Sequence, residues 1–364
     1  MDQMKLVTVA TLWSENSSRS LPFGPSESPV STVWEIISPL YIFTLSLLGL
    51  LFNSFVLGVF AAHKDRLTVA EIYLSNLALA DFFLLCGLPF WAMYILNHFN
   101  WPYGDALCKI VNSILIINFY TSVYTLVMIS IDRYLVLMKP MKARWLRRTL
   151  YAKVMCFLLW ILELLLSIPT IVHRKVKFME DFETVSCILY WIVHGSSWKM
   201  AHQILLNVVG CILPVLIIVY SSVNIIKALA QRRESVGFHE ARVRVRVRAV
   251  TLLFLLLWGP FQVFTFLDTL CDVRVLDETL WSDTLAIGGQ LSSYLAFLNS
   301  ALNPLLYVCS GQYFRWKVTA IYRRARQQRR GLDMTTCQRS FVSTCINRTE
   351  LIKNVVIFNA KDQM

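Results

Sequence analysis

The chain has 364 residues, of which 56% are hydrophobic and only 16% are charged, and its formal net charge is +12. A soluble protein of this length needs considerably more charge to cover its surface, so the composition excludes an ordinary soluble domain. The positive charge is concentrated in segments between or after long apolar blocks, which argues against a nucleic-acid-binding surface.

The apolar residues are grouped into seven blocks, each long enough to cross a bilayer, which takes roughly 20 residues of helix. The blocks lack the alternating pattern of a membrane barrel, and helices satisfy the backbone where no water is present. We therefore predict an all-α membrane protein, a seven-transmembrane helix bundle plus a short amphipathic cytoplasmic helix. The predicted membrane helices span residues 35–62, 69–96, 106–138, 150–172, 199–230, 244–270 and 284–309.

The distribution of lysine and arginine predicts the orientation of the chain. Basic residues are dense in the segments 139–148, 227–248 and 315–330, which lie on one side if seven helices alternate. By the positive-inside rule this side is cytoplasmic, so the N-terminus is extracellular. The predicted divisions are an extracellular tail over 1–34, the seven-helix bundle over 35–310, the amphipathic helix over 311–325 and a cytoplasmic tail over 326–364.

One segment carries a conflicting signal. Residues 242–248 alternate arginine and valine, and a period of two is typical of a strand. Because the segment continues directly into the sixth apolar block, we predict a helix whose arginines surround its cytoplasmic end.

Modification sites are expected on the outer side. Asn16 begins an Asn-Ser-Ser sequon in the extracellular tail and is a candidate for glycosylation. Cys108 opens the third helix and Cys187 lies in the long outer loop, so we predict a disulfide between them in an oxidising compartment. Cys271 also lies outside, without an evident partner. The cysteines within helices that are expected to be small buried apolar residues include Cys86, Cys156 and Cys211.

Two acidic residues lie within membrane helices. Asp81 in helix two costs about 2.5–3.5 kcal/mol on insertion scales and therefore needs polar partners. Glu163 in helix four is expected to be either protonated or paired with a polar group on a neighbouring helix. The polar residues at depths that match Asp81 are Asn118, Ser122, Asn299, Ser300 and Asn303. One interpretation is a polar cluster that only ties helices together.

Three short motifs end or interrupt separate membrane helices in a fixed order. They are Asp132-Arg133-Tyr134 in helix three, Trp258-Gly259-Pro260 in helix six, and Asn303-Pro304-Leu305-Leu306-Tyr307 in helix seven. This combination resembles the rhodopsin-class G-protein-coupled receptors. The resemblance implies a sodium ion, as an allosteric ligand rather than a cofactor, held by Asp81, Asn118, Ser122, Asn299 and Asn303.

The resemblance also implies a switch at the cytoplasmic side. Glu240 precedes Trp258 by 18 residues, or about five turns and about 27 Å, which places Glu240 at the inner end of helix six on the same face. There it is expected to pair with Arg133 until helix six swings outward and opens a G-protein cleft. Alternatively, Glu240 only balances the nearby arginines. The implied switch residues are Asp132, Arg133, Tyr134, Glu240, Trp258, Pro260, Asn303, Pro304 and Tyr307.

Longer strings resemble one group within this class, the bradykinin (kinin) receptors, over about residues 35–325. The strings lie at residues 69–74, 86–92, 99–102, 206–210 and 261–270. The resemblance implies a kinin peptide whose terminal arginine is received by Asp268 at the outer end of helix six. The implied ligand-binding residues are Leu115, Ile116, Trp258, Gln262, Asp268 and Asp283.

The sequence departs from the kinin-receptor pattern in helices three and seven. Ala286 replaces the second carboxylate, with Asp283 one turn outward, and Ile116 stands where one subtype has lysine. The subtype therefore stays open. The resemblance further implies a plasma-membrane location, a heterotrimeric G protein of the Gq class acting through phospholipase C and calcium, and arrestin and receptor kinases as further partners.

Other functions remain as alternatives. Leu115 occupies the position where an amine receptor needs a carboxylate, and Phe297 the position where a retinal pigment needs a lysine, so both of these receptor types are excluded. A receptor for another cationic peptide, of the angiotensin or chemokine type, stays open. A transporter or channel needs a continuous polar pathway, and the polar residues here form one midplane cluster. The motifs of enzymes are not found, so we do not expect catalysis.

Overall fold

The computed structural model describes residues 29–62, 66–139, 141, 148–180, 183–190, 195–231, 238–310, 314, 316–323 and 326–327. Within residues 29–310, the described chain forms seven long helices and one β-hairpin. The helices are α1 (Pro29–Ala62), α2 (Val69–Leu96), α3 (Gly104–Met138), α4 (Thr149–His173), α5, α6 (Phe238–Asp272) and α7 (Glu278–Ser310). Helix α5 consists of Gly195–Ile204, a π-helical stretch over Leu205–Ile212, and Leu213–Gln231.

The predicted all-α membrane class is confirmed, and the helix ends differ from prediction mainly where caps are weak. Helix α2 has the predicted bounds because Thr68 and Glu71 form a capping box, in which the Thr68 backbone donates to Glu71 Oε2 at 2.8 Å. Helix α1 begins at Pro29 rather than at residue 35. Proline is tolerated in the first turn of a helix, where its missing N–H has no intrahelical acceptor.

The first half of α6 contains residues 242–248, so the helix expected there is present despite the alternating pattern. Further along the chain, residues 316–323 are helical and belong to a second unit that begins at Gly311. This agrees with a helix in the predicted span 311–325. The sequon at Asn16 lies outside the described residues.

A β-hairpin in the outer loop after α4 is the main element that the sequence analysis missed. Strands β1 (Arg174–Met179) and β2 (Thr184–Leu189) pair antiparallel, with Arg174 opposite Leu189 and Val176 opposite Cys187. The hairpin is held to the bundle by hydrogen bonds. The backbone N–H of Trp101 donates to the Val185 carbonyl at 2.6 Å. The Val176 N–H also donates to Asp105 Oδ1 at 3.1 Å.

The bundle is arranged for a membrane, with apolar side chains outward and polar ones inward. Five helices of the described chain, α1 to α5, are long and apolar enough to cross a bilayer by length and composition. Leu47, Phe157 and Leu216 are exposed, whereas polar residues such as Asp81 are buried. Cys86 is exposed and not buried as predicted, because it lies on the outward stripe of α2.

Candidate functional site

The outer end of the bundle is organised by a disulfide. Cys108 at the start of α3 and Cys187 in β2 are joined, with their Cα atoms 5.8 Å apart, which confirms the predicted pair. Both cysteines are buried against Trp91 and Trp101. The bond therefore fixes the hairpin to α3 at the entrance of the bundle.

The hairpin also brings a buried cation to this end of the molecule. Arg174 at the start of β1 donates from Nη1 to the Cys187 carbonyl at 3.4 Å. Burial lowers the pKa of Arg174 to about 9, which still leaves the guanidinium protonated at neutral pH.

Asp268 lies among polar groups that connect α5 and α6. Gln203 Nε2 donates to Asp268 Oδ2 at 3.1 Å and also to Asp272 Oδ2. One turn further out, Lys199 Nζ lies 2.6 Å from Asp272 Oδ1. Helix α6 ends at Asp272, which places Asp268 in its outermost turn. The contacts to Gln203 and Lys199 were not foreseen, because sequence spacing does not place α5 against α6.

Deeper in the bundle, aromatic side chains surround Trp258. Trp258 and Ile116 belong to the same buried cluster, in which the Phe119 ring lies 5.1 Å from the Trp258 ring between centroids. Phe261 lies 5.9 Å from Trp258. Phe119 was not singled out from the sequence, where an aromatic residue in an apolar helix carries no special signal.

A glycine on α5 permits the close approach of α3. A Cβ atom at Gly210 would lie 2.6 Å from Phe119 Cε1, so a larger residue there would displace the ring. The adjacent π-helical stretch of α5 supplies this surface. Positions such as these decide the packing around Trp258.

The other ligand-binding residues predicted from the sequence lie in different surroundings. Gln262 is buried, whereas Leu115 is half-buried and packs in clusters with residues of α1 and α2. Asp283 is exposed near the start of α7, where Ser282 Oγ lies 3.5 Å from its Oδ1. Asp283 thus has a solvated position and Asp268 a sheltered one.

The midplane carboxylate of Asp81 is bound by amides from two other helices. Asn118 Nδ2 donates to Asp81 Oδ1 and Asn303 Nδ2 to Asp81 Oδ2, both at 2.8 Å. Ser300 Oγ donates to Asn118 Oδ1 at 3.4 Å. Asn53 Nδ2 on α1 donates to the Ser300 carbonyl at 3.0 Å, so four helices meet at this cluster.

The same cluster has the chemistry of a sodium site. A carboxylate with amide and hydroxyl oxygens suits a hard cation, and each Asp81 oxygen has a second lone pair beyond its amide bond. Ser122 Oγ and Asn53 Oδ1 are buried and have no hydrogen-bond partner among the described residues. Asn299 is buried in the same segment of α7. The oxygens that a cation would use are therefore present.

At the end of the bundle that was predicted to be cytoplasmic, the structure describes only part of the predicted switch. Asp132 is buried, Arg133 is half-buried, and the Tyr134 ring lies 6.0 Å from the Tyr220 ring between centroids. The backbone of α6 includes Glu240, but the side chains of Glu240 and Tyr307 lie outside the described residues. The Arg133–Glu240 pair stays a prediction.

Glu163 has a polar partner on a neighbouring helix, which is one of the two alternatives left open by the sequence. Thr121 Oγ1 on α3 donates to Glu163 Oε2 at 2.7 Å. Near it on α4, Trp160 Nε1 donates to Asn76 Oδ1 on α2 at 2.7 Å. These two bonds connect α4 to its neighbours, although α4 has a largely apolar surface.

Comparison with known proteins shows similarity along most of the chain. The sequence model of the family described as "7 transmembrane receptor (rhodopsin family)" matches residues 52–307. The chain is 41% identical over 316 residues to the B2 bradykinin receptor of Oryctolagus cuniculus, covering 85% of each chain. It is 39% identical over 304 residues to the B1 bradykinin receptor of Tupaia minor, covering 81% of this chain and 86% of the relative. It is 36% identical over 321 residues to the human B1 bradykinin receptor, covering 86% of this chain and 90% of the relative.

Proposed function

Because this chain belongs to the bradykinin receptors within the rhodopsin family of seven-transmembrane receptors, we propose that it is a receptor for kinin-like cationic peptides. Members of this family are signalling receptors that act through G proteins, and they are not enzymes. The similarity to both the B1 and the B2 receptors supports the peptide class and not one subtype.

The observation that carries the choice of ligand is the position of Asp268. Its carboxylate lies in the outermost turn of α6, is only half-buried, and is oriented by the amide of Gln203. A guanidinium that reaches it forms charge-assisted hydrogen bonds in partly water-excluded surroundings. The terminal arginine of a kinin is such a group.

Signalling follows from contacts that lie deeper in the bundle than Asp268. The body of the peptide presses on the Trp258 and Phe119 rings, and Pro260 weakens the hydrogen-bond ladder of α6 directly after Trp258. The inner half of α6 then moves outward, the Arg133–Glu240 pair opens, and a G protein binds. Asn303, Pro304 and Tyr307 of α7 take part in this rearrangement.

Several finer assignments belong to the same proposal. The G protein is of the Gq class and acts through phospholipase C and calcium, and arrestin and receptor kinases act on the activated receptor. The N-terminus is extracellular in the plasma membrane, as the basic segments on the opposite side support. Sodium binds at Asp81 in the resting state, which the buried Asp81 carboxylate and the buried oxygens of Ser122 and Asn53 support.

A peptide panel tests the proposal in cells that express the full chain. Intact kinin, kinin without its C-terminal arginine, an angiotensin-like peptide and a chemokine are compared by binding and by calcium release. We expect binding and calcium release with a kinin, and a Gq inhibitor should abolish the calcium signal. A response to the angiotensin-like peptide or the chemokine alone would reject the kinin proposal. Ligand-independent sodium or proton flux in liposomes would favour a transporter or channel.

A further inference from the structure

Three exposed basic side chains surround the junction of α2 and α4, at the end of the bundle that is predicted to be cytoplasmic. This basic corner consists of Arg66 before α2, Arg148 directly before α4, and Lys153 near the start of α4. Ala152 of α4 is buried in one cluster with residues of α2, and Leu67 packs against that cluster. Since Arg66 precedes Leu67, and Arg148 and Lys153 lie within one turn of Ala152, the packing brings the three cations to one corner.

The positive charge of the basic corner is not balanced by the part of the chain that the structure describes. None of its three side chains pairs with a described carboxylate. The acidic side chains described at this end, Glu71 and Asp132, are buried, and Glu71 is bound in the capping box with Thr68. Residues 139–153 contain six basic residues and no acidic one, so the sequence around the corner adds positive charge. The corner therefore attracts anions.

Lys153 places one of these cations on the surface that faces the membrane. The helix Thr149–His173 is apolar enough to cross a bilayer. Leu150 and Phe157 are 67% and 65% exposed, and their spacing from Lys153 puts all three side chains on one stripe of α4. A lysine on such a stripe extends its apolar stem along the surface and brings its ammonium to the level of the lipid headgroups.

We propose that the basic corner binds a lipid with a polyanionic headgroup, of the phosphorylated inositol class, whose acyl chains lie along the outward stripe of α4. Three cations at one corner match several phosphates on one headgroup better than a lipid with a single charge. Basic clusters next to a membrane helix attract such lipids in the cytoplasmic leaflet. The inference rests on the orientation given under the proposed function and is independent of the peptide ligand.

The test uses full-length receptor in phosphatidylcholine vesicles that contain a small fraction of fluorescent phosphatidylinositol bisphosphate. Energy transfer from the receptor's tryptophans reports the labelled lipid at the protein, and unlabelled competitors displace it. We expect phosphatidylserine to require about tenfold more lipid than phosphatidylinositol bisphosphate for the same displacement, because each basic residue near an anionic surface strengthens binding by about fivefold. Soluble inositol trisphosphate, which has no acyl chains, should compete still more weakly.

Charge-removing variants assign the site. Arg66→Gln, Arg148→Gln and Lys153→Gln should each weaken binding of the labelled lipid by about 3- to 5-fold, and the triple variant should lose the preference over phosphatidylserine. Lys153→Arg keeps the charge and should keep the preference. Lys227→Gln is the matched control, since Lys227 is an exposed basic residue at the same end of the bundle on α5 and should leave binding unchanged.

Each further outcome decides against the inference in a different way. A triple variant that keeps the preference overturns the site, and an equal loss in Lys227→Gln reduces it to general attraction by the basic face. Displacement by inositol trisphosphate as effective as that by the lipid would make it a site for a soluble anion. Kinin binding is measured on the same vesicles, and its absence from the unmutated receptor would reject the proposed function while leaving the lipid result to stand. If the triple variant does not fold, as judged by its melting temperature, the three single variants against Lys227→Gln decide.

Discussion

At the scale of single residues, the polar side chains of this receptor are placed by partners that come from other helices. Asp268 is oriented by Gln203 of α5, and Glu163 accepts from Thr121 of α3. Each of these groups is costly in apolar surroundings unless it is hydrogen-bonded. Substitutions at them therefore test function and stability separately.

Asp268→Ala should weaken kinin binding by about 10- to 100-fold, since a hydrogen bond to a charged group contributes roughly 1.5–3 kcal/mol. A kinin with citrulline in place of its N-terminal arginine should already lack most of this contribution. The two changes should therefore be strongly non-additive when binding is measured in a double-mutant cycle.

Asp268→Asn is the control that keeps the shape of the side chain and removes its charge. If the losses from Asp268→Ala and from citrulline add, Asp268 does not contact that arginine. The exposed Asp283 would then be the next candidate.

Glu163→Gln should change stability little, because a side-chain carbonyl still accepts from Thr121. Glu163→Ala removes this acceptor and leaves a cavity, and should destabilise the receptor by about 2–4 kcal/mol. Thermal unfolding of purified receptor measures both. Equal melting temperatures for the alanine and glutamine variants would show that the bond between α3 and α4 contributes nothing.

At the scale of elements, the hairpin and α6 are the parts whose attachment to the bundle bears on signalling. The hairpin is fixed to α3 by the disulfide and by main-chain hydrogen bonds. Helix α6 runs from the segment that contains Glu240 to Asp272 near Asp268, with Pro260 between them. A displacement at either end of α6 can therefore be transmitted along a single element.

Cys108→Ser releases β2 from α3 and should reduce kinin binding at the cell surface by more than about tenfold, because the entrance is no longer preorganised. Cys86→Ser is the control, since Cys86 is an exposed free cysteine on the outward face of α2 and should leave binding unchanged. Peptide mapping checks the premise. A free thiol at Cys108 or Cys187 in active receptor would contradict it.

Glu240→Ala should raise ligand-independent signalling if Glu240 holds Arg133 in the resting receptor. Basal inositol phosphate at matched surface expression is the measurement. His239→Ala, one residue earlier in α6, serves as the control and should leave the basal level as it is. An unchanged basal level in Glu240→Ala would instead favour the interpretation that Glu240 only balances nearby arginines.

At the scale of the whole molecule, the polar cluster at Asp81 joins four helices in the middle of the bundle. Asn118 of α3 and Asn303 of α7 bind its carboxylate, and Asn53 of α1 joins through Ser300. A ligand that binds here in one conformation more tightly than in another shifts the equilibrium of the entire bundle. If sodium binds at this cluster, as we propose, it is coupled to agonist binding by linkage.

Replacing sodium by a large organic cation should strengthen agonist binding, by about fivefold if the coupling lies at the lower end of the usual range. Asp81→Asn should lose this dependence. Glu163→Gln removes a different buried carboxyl group and should keep it. If agonist affinity in the unmutated receptor does not depend on sodium, the sodium proposal is contradicted and the cluster is only a structural link between helices.

The sequence by itself determined the class of fold, the number and approximate span of the membrane helices, and the disulfide. The apolar blocks, the cysteines and the distribution of charge are properties of the sequence itself. They can be read without knowing which residues lie in contact in the folded protein. The bounds of α2 were correct because its capping box is formed by Thr68 and Glu71, which are only three positions apart in the sequence. The start of α1 and the hairpin were missed, since proline permits a helix start and the two short strands are fixed by contacts with Trp101, Asp105 and Cys108 elsewhere in the chain.

The tertiary structure alone decided which side chains meet. Spacing along a helix assigns a residue to a face and a depth, but it does not state which face of the next helix lies opposite. For this reason Asp81 and its amides were foreseen as a group at one depth, whereas the pairing of Lys199 with Asp272 and of Glu163 with Thr121 was not. Those contacts depend on the packing of α5 against α6 and of α3 against α4, which the spacing of residues within one helix does not specify.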